Sequence, residues 1–410
     1  MNVWILNHYA GTPHDPQITG SYDLGKELIK KGHTVTIFAS SFRHRQLKDD
    51  RLRPGETSKI EHYDGVCFIW LKTFPYQRND WRRVVNMLSY AWRSCWTGVR
   101  WGERPDVIIG TCPHSLAVAA AYVLSWLKRS RFFFEVRDLW AQTLVDSAVL
   151  SQRHPITVGL RYLEKFLFRR AERIITLLPH LYDYTRLIGI PDDRVTWIPN
   201  GVDLSHFGAI HKVVRKASDT FTLMYVGGFA SYNSVSTILE AAALLQEDGA
   251  KEIKFVLVGS GPQKSALMQW AAEKQLRNVE FVPPVPKTDI PKVMEAADAF
   301  VYVVKNLSVL RYGISPQKLY EYMAAGRPIV CAAAASNNPV SEAKAGLTVP
   351  PEKSEALAYA IRQLVAMSPM ERERMGSNGF EHVKRYHDMA ILGRRLEELI
   401  VAGSGYKGPK

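Results

Sequence analysis

Ser315-Pro316-Gln317-Lys318-Leu319-Tyr320-Glu321-Tyr322-Met323-Ala324-Ala325-Gly326-Arg327-Pro328 is the stretch around which the chain is read. It carries the marks of a helix start and stop. Ser315 suits an N-cap, because its hydroxyl can accept from first-turn N–H groups. Pro316 suits the next position, where a missing N–H costs nothing. Gly326 and Pro328 end the helix, and Ile329-Val330-Cys331 opens a strand. Lys318 near the third position and Glu321 one turn later put a cation and a carboxylate beside an anion-attracting helix N-terminus. A diphosphate joined to a ribose would satisfy both. An ordinary capped helix with a surface Lys–Glu pair fits the same residues.

Outward from this stretch, strands run into glycine turns. Residues 221–226 end in Gly227-Gly228 and residues 254–258 end in Gly259-Ser260-Gly261, each with a helical segment after it. Such glycines permit close approach of a ligand. With Lys318 and Glu321 they outline one crevice. Residues 299–304, 329–333 and 346–349 are further strands. The N-terminal half alternates in the same way, with strands at 3–6, 34–39, 66–71, 105–110, 132–136 and 173–178. This βα alternation predicts α/β folding with parallel sheets. The polar, patternless residues 205–219 read as the linker between domains 1–204 and 205–386. A helix near 389–401 and a Gly/Lys tail close the chain. Residues 43–60, charged and rich in breakers, read as a mobile loop.

His114 and Asp138 follow strands at their carboxyl ends, where ligands bind in open α/β sheets. A structural role for either is the alternative. The first loop lacks G-x-G-x-x-G, which argues against a nicotinamide cofactor. No run of about 18 uncharged apolar residues occurs, and the N-terminus lacks the basic and apolar regions of a signal peptide. Four cysteines without metal or redox spacing fit reduced thiols in the cytosol. The net charge of +13 favours an anionic partner. Nucleic acid is disfavoured, since no zinc-finger spacing or RNP motif is present.

Residues 81–101 stand out. On a helical wheel Trp81, Val85, Leu88, Trp92, Trp96 and Val99 form one stripe, and Arg82, Arg93 and Arg100 a second. Such a helix suits an anionic membrane interface. It equally suits packing of the Trp stripe on the core with solvated arginines.

The chain resembles the family 4 glycosyltransferases of the GT-B fold, over residues 1 to about 400. In the C-terminal half the resemblance rests on Ile198-Pro-Asn-Gly-Val-Asp203, Tyr225-Val-Gly-Gly228, Val258-Gly-Ser-Gly-Pro262 and the opening stretch. In the N-terminal half it rests on Asn7-His-Tyr-Ala-Gly-Thr-Pro13, Gly32-His-Thr-Val-Thr-Ile37, Ser40-Ser-Phe-Arg-His44 and Glu135-Val-Arg-Asp-Leu-Trp140. These resemble the branch that builds bacterial surface polysaccharides such as O-antigen and capsule. The resemblance implies two Rossmann-like domains facing each other across a cleft, with the last helix (387–410) returning to the N-terminal domain. It implies a retaining transfer without metal or other cofactor, from a UDP-sugar or another nucleoside-diphosphate sugar. Glu321 would hold the ribose, the amides of Gln317 and Lys318 the diphosphate, and Gly227, Gly228, Gly259 and Gly261 the nucleotide cleft. Asp138 and His114 would be the catalytic or positioning pair.

Three departures matter. The first of two glutamates common in the family is Gly313 here. The cations usual in the loop after residue 228 are absent from Phe229-Ala-Ser-Tyr-Asn-Ser-Val235, which leaves Lys305, Arg311 and Lys318 as candidates for the diphosphate charge. Thr19-Gly20 replaces a glycine pair on the acceptor side. The expected acceptor is a polyprenyl-diphosphate-linked saccharide. The expected location is the cytoplasmic face of the plasma membrane, touched through Trp81, Arg82, Trp92, Arg93, Trp96 and Arg100. A soluble acceptor, a UDP-sugar 2-epimerase-like activity and an inactive scaffold subunit are the rival readings.

Overall fold

The structure, a computed structural model, describes residues 1–15, 19–44, 46–78, 80–112, 114–146, 150–208 and 220–403. The chain forms two compact units. Unit 1 is Met1–Pro199 with the chain from Met389 onward, and unit 2 is Asn200–Asp388. The chain therefore changes unit a few residues before the linker read from the sequence. Of that linker, residues 209–219 lie outside the described residues.

Unit 1 holds strands β1 (Asn2–Leu6), β2 (Thr34–Ser40), β3 (Ser58–Tyr63), β4 (Val66–Leu71), β5 (Val107–Thr111), β6 (Arg131–Val136), β7 (Arg173–Thr176) and β8 (Val195–Trp197). They lie in the order β3-β4-β2-β1-β5-β6-β7-β8. All pairs are parallel except β3–β4. That hairpin puts a strand over 58–60, the end of the loop expected at 43–60. Asp64 and Gly65 both take positive φ (48° and 82°), the requirement of a tight hairpin turn that Asp-Gly meets.

Side chains alternate across the pleat. Ile5, Ile37 and Ile109 join Leu28, Leu392 and Leu396 in one core, so helices Gly20–Lys30 and Met389–Val401 cover that face. On the opposite face helices Trp81–Arg100, Ser115–Lys128 and Pro155–Arg170 pack side by side. A Cβ on Gly98 would lie 2.8 Å from Leu124, so glycine lets the first two of these helices close.

The first of them bears on one of the two readings left open above, the packing of its Trp stripe on the core. Its buried face is Asn86, Met87, Tyr90, Ser94 and Gly98, and the Trp81, Trp92 and Trp96 rings point outward. The small side chains permit close helix contact, and the Tyr90 hydroxyl reaches the Phe38 carbonyl at 2.8 Å. The Trp stripe does not pack on the core.

Unit 2 holds β9 (Phe221–Val226), β10 (Ile253–Val258), β11 (Val279–Val282), β12 (Ala299–Val303), β13 (Ile329–Ala332) and β14 (Gly346–Val349). The order is β11-β10-β9-β12-β13-β14, all parallel. Strand order reverses between β1 and β5 in unit 1, and between β9 and β12 in unit 2. Loops leaving these pairs are where an open α/β sheet offers a binding crevice.

Candidate functional site

In unit 2 the ladder between β9 and β12 covers only Leu223–Ala299 and Met224–Phe300. Beyond it the buried Tyr322 hydroxyl accepts from Val226 N–H and donates to Val226 O, each at 2.8 Å. One side chain thus satisfies the strand end while the two strands part. Lys318 enters the space beside them. Its Nζ donates to Asn233 Oδ1 (2.7 Å) and Tyr225 Oη (3.1 Å), and lies over the Tyr225 and Tyr302 rings. A Cβ on Gly227 would sit 3.2 Å from Lys318 Cδ, so glycine makes room for the lysine stem. Lys305 Nζ donates to Ser231 Oγ at 3.0 Å. Both lysines therefore reach the 229–234 loop, which carries no cation of its own. Arg311 does not join them: it is exposed and bonded to Tyr312 Oη at 2.8 Å.

The other glycines bring backbone segments together. Gly259 has φ +143°, and a Cβ there would meet Gly227 O at 1.9 Å. Gly261 has φ +157°, and its Cβ would meet the Phe229 backbone at 2.7 Å. They let the loops after β9 and β10 press together, backbone on backbone. Gly228 offers its carbonyl to Tyr225 and Asn233.

The helix of the opening stretch runs Gln317–Ala324, with Pro316 at the N-cap and no side-chain cap. Ser315, expected to cap it, is engaged elsewhere. Its Oγ accepts from Asn200 N–H (2.8 Å) and its carbonyl from Asn200 Nδ2 (2.5 Å). Tyr320 bonds Ser315 and stacks on His387 at 3.8 Å. His387 Nδ1 returns to Asn200 O at 3.1 Å. This closed ring of buried or half-buried groups fixes the helix start while its first-turn amides carry no side-chain cap. Asn200→Ala removes the Nδ2 bond alone, since its N–H and carbonyl are backbone groups, and is expected to destabilise unit 2 by about 1 kcal/mol. Ser315→Ala removes the hydroxyl that meets both Asn200 N–H and Tyr320, and should cost about twice as much. Urea midpoints at constant m-value check both; equal effects would refute the ring.

Glu321 does not pair with Lys318. Its buried carboxylate forms an ion pair with Lys287, from the turn Lys287–Asp289 after β11.

In unit 1 the loops after β1 and β5 bring His8 onto His114, with His8 Nδ1 2.6 Å from His114 Nε2, and both rings are buried. The bond directions follow from the ends of the chain of contacts. Ala117 N–H donates to His114 Nδ1 (3.3 Å), so the His114 proton is on Nε2 and points to His8. Asn86 gives its amide hydrogens to Thr73 Oγ1 (2.9 Å) and Phe74 O (2.7 Å), and its side chain interacts favourably with the His8 ring. Burial, then the Arg83 charge, holds His114 down at about 3. Burial and the neighbouring His114 push His8 well below the usual range. The pair is neutral, and both nitrogens of His114 are occupied inside the protein.

Asp138, at the end of β6, accepts from Thr143 Oγ1 at 2.7 Å, and burial raises its pKa. Beside β6, Arg137 pairs with the buried Glu135 at 3.0 Å, and Thr111 donates to Glu135 at 2.7 Å. Thr19 is the N-cap residue of its helix, its hydroxyl turned to Asp23 at 2.6 Å, and Gly20 is buried. Residues 16–18 of that loop lie outside the described residues. His8 could have been found by the rule that selected His114 and Asp138, since it too follows a strand end. Lys287 carried no such signal.

Residues 207–382 match the model for glycosyl transferases group 1, and residues 18–201 match that for the glycosyl transferase 4-like domain. The chain belongs to the family 4 glycosyltransferases. WcaI of Escherichia coli K12, named a colanic acid biosynthesis glycosyl transferase, is 21% identical over 87% of this glycosyltransferase and 91% of WcaI. The sucrose-phosphate synthase of Thermosynechococcus elongatus superposes with a TM-score of 0.74 at 19% identity, over 97% and 98% of the two chains. Anabaena HepE in complex with UDP-glucose superposes at 0.68 and 15% identity, over 98% and 99%. The fold of this glycosyltransferase is therefore GT-B.

Proposed function

We propose that this glycosyltransferase moves a sugar from UDP-sugar to a polyprenyl-diphosphate-linked saccharide during assembly of a bacterial surface polysaccharide. The observation that carries the donor half is the convergence of Lys318 and Lys305 on the loop after β9, at the switch point of unit 2 and close to an uncapped helix start. Those cations and first-turn amides suit a departing diphosphate, whose charge grows in the transition state. Glu321 would take the ribose hydroxyls. HepE, a fold relative, is complexed with UDP-glucose. The name of WcaI supports the surface-polysaccharide role.

Transfer with retention breaks the bond from the anomeric carbon to phosphate oxygen and forms the acceptor bond on the same face. The acceptor proton passes to the departing phosphate oxygen, so no separate base is required. His114 and Asp138 then act by ordering unit 1 around the acceptor, in keeping with their internal bonds. The Trp81–Arg100 helix, with Trp81, Trp92 and Trp96 outward, would hold the enzyme on the cytoplasmic membrane surface. No helix of the described residues is long and apolar enough to cross a membrane.

A thermal-shift screen of nucleoside diphosphates tests the donor. UDP at a hundredfold excess over its Kd is expected to add about 2.7 kcal/mol of stability. Lys318→Ala should abolish most of the shift and Lys305→Ala part of it. Equal shifts in wild type and Lys318→Ala would sink the assignment.

A further inference from the structure

Thirteen of the twenty-one exposed large hydrophobic side chains among the described residues lie on three helices of unit 1. These are the helices packed side by side on one face of the sheet, Trp81–Arg100, Ser115–Lys128 and Pro155–Arg170. The first contributes the outward Trp stripe. The second adds Trp126, 73% exposed, and Leu127. The third adds Tyr162, 72% exposed, with Ile156 and Phe166. An apolar patch of this breadth is a contact surface rather than scattered exposure.

The charge on the same layer chooses the occupant. The three helices carry four, one and four Lys or Arg residues against a single carboxylate, and that one, Glu164, is buried. Several cations sit against the exposed rings: Arg100 lies 3.4 Å over Trp96, and Arg170 5.2 Å over Phe166. Aromatic rings rimmed by cations match the apolar boundary and phosphate layer of an anionic bilayer. A protein partner would have to bring an acidic rim around an apolar centre.

We infer that the whole outer face of this three-helix layer, and not the Trp81–Arg100 helix alone, is a docking surface for anionic phospholipid. The inference rests on the proposed membrane association and extends it to two helices that the sequence pattern does not single out. It makes the contact a plane, which fixes the tilt of unit 1 on the membrane, where one helix would leave it free to roll.

Flotation of the full chain tests it, on vesicles of phosphatidylcholine alone and of phosphatidylcholine mixed with phosphatidylglycerol. Wild type is expected to float with the mixed vesicles only, and to lose roughly fivefold in partitioning per cation removed. Trp126→Ser with Tyr162→Ser, on the second and third helices, should reduce partitioning tenfold or more, as should Trp92→Ser with Trp96→Ser. Unchanged near-UV circular dichroism and an unchanged urea midpoint of unit 1 show that each variant is folded. If the Trp126/Tyr162 variant floats like wild type while the Trp92/Trp96 variant does not, contact is confined to one helix and the inference falls, with membrane association intact. If wild type floats with neither vesicle, the membrane reading itself fails. Equal flotation on both vesicles overturns the choice of anionic lipid.

Discussion

Glu321→Ala is expected to abolish the stabilisation of unit 2 by UDP and to lower its unfolding free energy by about 2 kcal/mol. The carboxylate is only 4% exposed, and its ion-pair partner is Lys287. Removing one member of a buried pair costs more than the pair is worth, because the survivor keeps an uncompensated charge. The two single variants should differ for that reason. Lys287 is more open to water than Glu321, so Glu321→Ala leaves an ammonium group that can turn to solvent. Lys287→Ala instead leaves a carboxylate enclosed by protein, and its expected cost is larger, about 3–5 kcal/mol. Calorimetry with UDP separates binding from stability. UDP affinity in Glu321→Ala within twofold of wild type would remove Glu321 from the donor site. The order of the two costs, read from urea midpoints, tests the pairing independently of any ligand.

A second large effect is expected from Glu164→Gln, which should stabilise unit 1 by about 3 kcal/mol at pH 8 and hardly at all near pH 4. Burial raises the Glu164 pKa to about 7, opposed by the Tyr184 hydroxyl bonded at 2.7 Å and aided by the charge of Asp138. The ordinary value is 4.5. Between the two, the folded protein holds a proton that the unfolded chain has released. Stability therefore falls as pH rises through this window and levels off above it. Glutamine keeps an acceptor for Tyr184 and cannot ionise, so the decline should flatten. Urea unfolding of both proteins from pH 4 to pH 8 measures it. An equal gain at both ends would show that the effect is packing and not titration.

The alternation of the two units was legible because parallel strands, covered on both faces, appear as short apolar runs with helices between. Strand β3 was not, because Ser58–Tyr63 is a polar edge strand with little burial. Its only signal is Asp64-Gly65. Periodicity located the Trp/Arg helix and its apolar stripe. It could not say which stripe is buried, since Ser94 and Gly98 are enclosed for reasons of size rather than polarity. The helix at 317 was legible from Pro316 and Gly326. Its cap was not, because Ser315 is claimed by Asn200, which is remote in sequence. The same holds for His8 with His114 and for Glu321 with Lys287. Local pattern identified residues able to bond, and long-range folding chose which partner each one took.

The ends of unit 2 lie side by side: Val202 N–H donates to His387 O at 2.9 Å, and Val202 bridges Asp388. On the unit 1 side, Ile198 and Met389 share one core. Topologically, unit 2 is an insertion into unit 1, placed before the final helix. Truncation at residue 199 would strip Leu392, Leu396 and Ile400 from that core and leave Leu28 exposed. A chain that joins residue 199 to residue 389 through a short linker would keep them. Each half would keep a core of its own, so both are expected to fold apart and to be exchangeable as cassettes between relatives.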